Sequence, residues 1–160
     1  MGKKIIFTIT NDPLFDQRMQ RICSTLQEAG YQVVLAGRKM RTAQIGHCAY
    51  KVNRMRCLFH KGPMQYLEYH IRLSTWLIFQ QADIICAIDT DTILPVYFAS
   101  LLKGTRRIFD AHEYFSELKE VVTRPHVQRW WKKIERFAIP RFPVGYTVGQ
   151  EIAGVFRKEY

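Results

Sequence analysis

Short apolar segments alternate with segments of helical periodicity along the chain, and this alternation most restricts the folds it can adopt. The sequence predicts strands at 5–9, 31–36, 50–59, 83–88, 107–109 and 144–148. The third is the weakest, because Arg54 and Arg56 interrupt it. Helices are predicted at 16–29, 64–81, 94–102, 114–122, 127–139 and 150–160. Strands that alternate with helices imply right-handed crossovers and a parallel sheet.

These elements predict one α/β domain spanning residues 1–160. We expect a Rossmann-like, doubly wound, mostly parallel sheet of about six strands with helices on both faces. Hydrophobic residues make up 48% of the chain, enough to form a full core. The four cysteines lack metal-site spacing, which favours a reducing, cytoplasmic location. No apolar run reaches the length of about 20 residues that spans a bilayer.

The chain is basic, with 24 Lys and Arg against 14 Asp and Glu and a net charge of +10. This charge suits nucleic acid, an anionic membrane surface or a phosphorylated substrate, and it also suits simple solubility. The helix at 127–139 places Trp130 beside three basic residues, Arg129, Lys132 and Lys133. That group is either an ordinary amphipathic face or a patch that binds the membrane interface.

Polar side chains follow three of the predicted strands, where ligands bind in open α/β sheets. They are Asn11, Asp12 and Asp16 after the first strand, Asp89 and Asp91 after the fourth, and Asp110, His112 and Glu113 after the fifth. The first and fourth strands are expected to be neighbours, so these side chains should share one edge. Carboxylates there can accept hydrogen bonds from a hydroxyl-rich ligand. His112, between two acids, has the character of a reaction centre.

Each of these groups also has a plainer interpretation. Asp12 and Asp16 suit the capping of a turn and of a helix, Asp91 or Thr92 suits the cap of the next helix, and His112 suits a structural histidine. The first strand is not followed by a GxGxxG motif or a Walker lysine, which argues against dinucleotide and P-loop sites. His112 is not part of an HExxH motif, and there is no GxSxG motif.

The chain resembles the N-terminal domain of a family 4 (group 1) glycosyltransferase of GT-B fold, of the bacterial surface-polysaccharide type. Four segments carry the resemblance: Thr10-Asn11-Asp12 with Asp16-Gln17-Arg18-Met19, Lys61-Gly62-Pro63 with Ile71-Arg72-Leu73, Asp89-Thr90-Asp91-Thr92-Ile93-Leu94-Pro95, and Asp110-Ala111-His112-Glu113-Tyr114-Phe115 with Ile134-Glu135. Such enzymes have two Rossmann-like domains that face a cleft, the first holding mainly the acceptor and the second the nucleotide-sugar. The resemblance implies that this chain is the acceptor-side half, that a donor-binding domain lies outside it, and that the half is inactive alone.

The resemblance also implies roles for individual residues. His112 would contact the transferred sugar or the acceptor, with Asp110 and Glu113 orienting it or binding acceptor hydroxyls. Asp89 and Asp91 would line the acceptor cleft. Asn11, Asp12 and Asp16 occupy the first-strand loop, which in many relatives is glycine-rich and close to the donor phosphate or the acceptor. This chain has Asn-Asp-Pro there, which argues against backbone amides that cradle a phosphate. Transfer would retain the anomeric configuration and need neither a metal nor a cofactor.

The expected partners are a nucleotide-sugar donor and a glycan or lipid-linked acceptor. A lipid-linked acceptor would explain the basic charge through peripheral binding to the inner face of the membrane. One alternative is a stand-alone Rossmann-like binding or partner module without catalysis. Another is a nucleic-acid-binding domain, against which the acidic strand ends argue because carboxylates repel phosphates.

Overall fold

The computed structural model describes residues 2–40 and 48–160 and contains one sheet of six parallel strands. The strands are β1 (Lys4–Thr8), β2 (Gln32–Arg38), β3 (Lys51–Met55), β4 (Ile84–Ile88), β5 (Arg106–Ala111) and β6 (Val144–Thr147). The helices are α1 (Gln17–Glu28), α2 (Gly62–Phe79), α3 (Thr90–Lys103), α4 (Lys119–Val122), α5 (Pro125–Ala138) and α6 (Gln150–Glu159). The predicted Rossmann-like α/β fold is confirmed.

The strand order is β3-β2-β1-β4-β5-β6, so the direction of winding reverses between β1 and β4. Phe7 of β1 is in register with Leu35 on one side and Cys86 on the other. The predicted pairing of the first and fourth strands is therefore confirmed. Because all strands run in the same direction, their carboxyl ends meet at one edge of the sheet.

Two apolar layers cover the two faces of this sheet. On one face, Met19 and Cys23 of α1 pack against Phe7 and Leu35. The opposite face buries the inner sides of α2, α3 and α5 in a larger cluster that includes Leu73, Val96 and Ala138. Burial of a Leu or Val side chain contributes about 1.5–3 kcal/mol, so both layers stabilise the sheet.

Helix α1 begins and ends as its sequence predicts. Asp16 is the N-cap residue, and its Oδ1 accepts a hydrogen bond from the Met19 amide at 2.9 Å. Gly30 follows the helix with a φ of 88°, a conformation that side chains disfavour. The helix predicted at 114–122 is wrong as a single element, because Leu118 is extended and separates a 3₁₀ turn at Phe115–Glu117 from the short α4.

Helix α3 begins four residues earlier than predicted, at Thr90, and contains Pro95. Proline has no amide hydrogen, so it cannot donate to the Asp91 carbonyl four residues before it. His70 of α2 fills that position, with Nε2 lying 2.7 Å from the Asp91 oxygen. Since a carbonyl only accepts, Nε2 carries the proton. Within the described ranges, no helix has both the length and the apolar character required to cross a bilayer.

Candidate functional site

Asp89 connects the end of β4 to the end of β5 through hydrogen bonds at the carboxyl edge of the sheet. Its amide donates to the Asp110 carbonyl at 2.8 Å, and its Oδ1 accepts from the amides of His112 at 2.8 Å and Glu113 at 3.1 Å. Its φ of 57° lies in the left-handed region, an arrangement that costs about 1–3 kcal/mol. Burial raises the pKa of Asp89 to about 6, although the two amides favour its charged form. This carboxyl therefore fixes the backbone that carries His112.

His112 presents its ring to solvent beside the reversal point of the sheet. Its side chain is 41% exposed, and Nδ1 lies 3.9 Å from Oε1 of Glu113, whose side chain is 48% exposed. At that distance the two groups do not form a hydrogen bond. The backbone of His112 is held and its imidazole is open, as a ligand-contacting group requires.

Asp110 lies on the α1 side of the sheet and is fully buried. Nη2 of Arg18 contacts its two carboxylate oxygens at 2.7 and 2.8 Å. Tyr146 of β6 is in register with Asp110, and burial together with this carboxylate raises the pKa of the Tyr146 hydroxyl. The structure thus places Asp110 in an ion pair with α1 rather than against the ring of His112.

The first-strand loop holds Asp12 in a network of its own. Arg54 of β3 donates to both carboxylate oxygens, from Nε to Oδ1 at 2.9 Å and from Nη2 to Oδ2 at 2.6 Å. The amides of Leu14 and Met40 also donate to this carboxylate. The turn-capping interpretation of Asp12 and the helix-capping interpretation of Asp16 are both confirmed. Asn11 is exposed at the rim of a cavity of about 510 Å³ that Asp12 and Asp16 also line.

Gly37 of β2 allows this loop to pack against the sheet. A Cβ atom at this position would lie 2.5 Å from the Asn11 carbonyl oxygen and 2.8 Å from the Pro13 ring. Any side chain would push the loop away from β2. The loop geometry therefore depends on the absence of a side chain at residue 37.

A second polar cluster, which we call the Asp91 cluster, lies where β1 and β2 end beneath α2. It consists of Asp91, Thr10, Arg38, Tyr66 and His70. Burial raises the pKa of Asp91 to about 7, while Thr10 and Arg38 oppose the shift. Burial also lowers the pKa of His70 and raises that of Tyr66. Asp91 lies in the first turn of α3 and is not its N-cap residue, which is Asp89, so the capping interpretation of Asp91 is wrong.

Sequence reasoning did not identify Arg38, Tyr66 and His70 as members of a polar site. Two signals were available. Tyr66 and His70 are four residues apart, so they share one face of a helix. Pro95 leaves the Asp91 carbonyl without its helical donor, which calls for a donor from elsewhere in the fold.

Glu135 is a further buried acid that sequence reasoning did not assign to a polar network. Its carboxylate accepts hydrogen bonds from the Thr90 hydroxyl at 3.0 Å, the Ser116 amide at 3.2 Å and the Tyr160 hydroxyl at 2.9 Å. These bonds tie α5 to α3, to the segment after β5 and to the end of α6. An acid on the buried stripe that includes Trp131 and Ala138 was the available signal.

Helix α5 divides its neighbouring tryptophans between core and surface. Trp131 is buried against Tyr66 and Phe115, with ring centroids 5.3 and 4.8 Å away, whereas Trp130 is 68% exposed. Arg129 is also exposed, and Nζ of Lys133 lies 5.3 Å from the Trp130 ring. Lys132 forms an ion pair with Glu117 at 2.7 Å. The basic patch predicted on this helix therefore presents Arg129, Trp130 and Lys133, while the charge of Lys132 is partly neutralised.

The residues of the candidate site do not form a metal centre. Across residues 2–40 and 48–160, no group of three or more His, Cys, Asp or Glu side chains is placed to hold a metal ion.

Comparison with known proteins identifies the fold. No protein-family model matches the chain, and no curated protein sequence matches it significantly. Among solved structures, a Listeria monocytogenes protein assigned as a UDP-N-acetylglucosamine 2-epimerase is similar, with a TM-score of 0.62 and 10% identity over 99% of this chain and 42% of its own. Arabidopsis thaliana UGT89C1, complexed with UDP-L-rhamnose, has a TM-score of 0.54 and 8% identity over 84% of this chain and 42% of its own.

The lipopolysaccharide outer-core galactosyltransferase WaaB is also similar, with a TM-score of 0.50 and 15% identity over 66% of this chain and 32% of its own. The chain therefore spans less than half the length of these proteins. The likenesses show that it has the Rossmann-like α/β fold found in enzymes of GT-B architecture.

Proposed function

We propose that this chain is the N-terminal, acceptor-side half of a retaining glycosyltransferase, which transfers a sugar from a nucleotide-sugar to a glycan or lipid-linked acceptor. The sequence resemblance to family 4 enzymes and the GT-B-type fold support the proposal. The observation that carries it is the arrangement at β4 and β5, where Asp89 holds the backbone of His112 while its imidazole faces the sheet edge. Ligands bind at that edge, next to the reversal point, in folds of this kind.

The exposed ring gives His112 a role that needs no metal. An imidazole nitrogen can donate a hydrogen bond to a sugar hydroxyl and, when protonated, stabilise negative charge on the departing phosphate. Asn11, exposed on the first-strand loop, would contribute an amide to the same ligand, whereas Asp12 and Asp110 would act through the arginines that bind them.

The experiment is a comparison of this chain with the complete gene product, tested with a panel of nucleotide-sugars. The complete protein should transfer or hydrolyse one donor, and the 160-residue chain alone should not. Robust turnover by the short chain would refute the idea of a half-enzyme. A reading frame that ends near Tyr160 would favour a stand-alone binding module.

In the complete protein, His112→Ala should lower kcat/KM by about 10- to 100-fold, the value of one hydrogen bond to a charged group. Stability should hardly change, because Asp89 binds the backbone amide, which alanine keeps. The control is His60→Ala, since His60 is exposed in the loop before α2. Equal losses of turnover and stability in the His112 variant would make this histidine structural.

We also propose that the exposed face of α5 binds an anionic membrane surface that carries the acceptor. Each basic residue near such a surface contributes about 1 kcal/mol, and Trp130 suits the interface. Replacing Trp130 and Lys133 by alanine should weaken co-sedimentation with vesicles that contain phosphatidylserine. Phe79→Ala is the control, because Phe79 is 80% exposed near the far end of α2. Vesicle binding that does not depend on anionic lipid would contradict this proposal.

A further inference from the structure

Arg38 is a buried guanidinium with few partners among the residues that the structure describes. The residue is 3% exposed at the carboxyl end of β2, and its Nη2 reaches only the Phe59 carbonyl at 3.4 Å. Considering the described part of the chain, its Nε has no hydrogen-bond partner, and Arg38 forms no ion pair with an acid. Arg54 and Arg18, in contrast, contact both carboxylate oxygens of Asp12 and Asp110, respectively.

Thr10, two residues after the end of the neighbouring strand β1, carries a second buried donor, which acts on the Asp91 carboxyl. The Arg38 amide donates to the Asn11 carbonyl at 3.1 Å, which places Thr10, the preceding residue, at the adjacent end of β1. Thr10 is 8% exposed, and within residues 2–40 and 48–160 its hydroxyl has no hydrogen-bond partner of normal geometry. Buried polar groups normally have a partner, so these two donors are available to a bound ligand.

The position and shape of these groups define the ligand. They lie at the carboxyl ends of β1 and β2, next to the reversal point where this class of sheet binds its ligands. A guanidinium offers a planar fork of donors that matches a phosphate or a carboxylate. We propose that Arg38 and Thr10 form a binding site for an oxyanion, either a phosphate or a carboxylate group, carried by the acceptor. This inference rests on the proposed acceptor-side function.

The acid nearest to this site does not prevent anion binding. Burial raises the pKa of Asp91 to about 7, so near neutral pH a large fraction of this carboxyl is protonated and uncharged. In that form it donates a hydrogen bond instead of repelling an anion. Tyr66 of the same cluster adds a hydroxyl whose pKa burial raises, which keeps it in the donating form.

The test follows the Nε–H signals of the arginines in ¹⁵N-labelled full chain during titration with pyrophosphate and, separately, glucuronate. We expect the Arg38 signal to shift saturably with one of the two probes at millimolar concentration, which identifies a phosphate or a carboxylate as the ligand. The signals of Arg18 and Arg54 serve as internal controls, because carboxylates already occupy both groups. An Arg38 signal that moves with neither probe overturns the inference.

Substitutions separate binding from folding. Arg38→Lys keeps the charge but loses the fork and should weaken binding by about 10-fold or more, and Arg38→Gln should abolish it. At pH 5, where Asp91 is mostly uncharged, Arg38→Met should leave the urea midpoint unchanged or raise it, because Arg38 forms no ion pair with any described residue. A lower midpoint for Arg38→Met would mean that the guanidinium is satisfied within the fold, and would overturn the inference.

Activity of the complete protein distinguishes this inference from the proposed function. Sugar transfer with an acceptor KM that Arg38→Gln leaves unchanged would refute the oxyanion site and retain the transferase. A saturable Arg38 response in a protein that transfers no sugar would retain the site and refute the transferase.

Discussion

Replacing Asp91 by asparagine removes a carboxyl whose ionisation the fold opposes. Burial raises the pKa of Asp91 from 3.8 to about 7. A group with a raised pKa contributes stability that is complete below the unfolded-state pKa of about 4 and is lost as pH rises through the folded-state value of about 7. The full shift corresponds to about 4 kcal/mol, and partial access of solvent reduces the expected effect to about 2–4 kcal/mol. As pH rises from 4 to 8, the Asp91→Asn variant should therefore become about 2–4 kcal/mol more stable relative to the parent chain.

Urea unfolding of both proteins across this pH range measures the difference. His70 titrates nearby and its lowered pKa destabilises the fold as pH falls, so the comparison is made in a His70→Gln background, which keeps a donor for the Asp91 carbonyl. Thr10, Arg38 and Asp89 remain in both proteins, and their interactions with the Asp91 carboxylate are part of the measured difference. A stability difference that stays flat from pH 4 to pH 8 would refute the reasoning, because it would mean that Asp91 ionises equally well in the folded and unfolded states.

Two glycine substitutions should have opposite effects on the urea midpoint. Gly37→Ala should destabilise the fold by about 1–3 kcal/mol, because its Cβ would lie 2.5 Å from the Asn11 carbonyl oxygen. Gly154→Ala should stabilise it by about 0.5–1 kcal/mol, because Gly154 lies inside α6 with no atom within 4 Å of the added methyl group. A Gly37→Ala variant as stable as the parent would show that the first-strand loop is not held against β2.

The fold could be predicted from local patterns, because each strand and most helices have their own periodicity. Strand β3 shows that a charged residue is a poor guide to the strength of a strand. Arg54 interrupts the apolar pattern and predicts a weak strand, yet β3 is regular, and Arg54 is the ion-pair partner of Asp12, 42 positions away. A charged residue in a strand is costly only when it lacks a partner. Local sequence does not reveal a partner so distant.

The same limit applies to the roles of the acids at the sheet edge. The pattern at strand ends predicted which acids share the edge, and Asp89 and Asp110 do meet there. The pattern could not show that Arg18, 92 positions earlier, would neutralise Asp110. An ion pair requires a separation of about 4 Å, which only the tertiary structure sets. The turn cap at Asp12 and the helix cap at Asp16 could be predicted from the sequence, because each involves a backbone amide only two or three residues away.

These partners change what the sheet edge can bind. In the sequence, the acids after β1, β4 and β5 indicate a crevice that repels anions. In the structure, arginines neutralise Asp12 and Asp110, and burial favours the protonated form of Asp91. Arg38 remains as a positive charge without an acid partner among the described residues. The edge is therefore less negative than its composition suggests, and the proposed anionic acceptor would meet less repulsion there than the acids alone would cause.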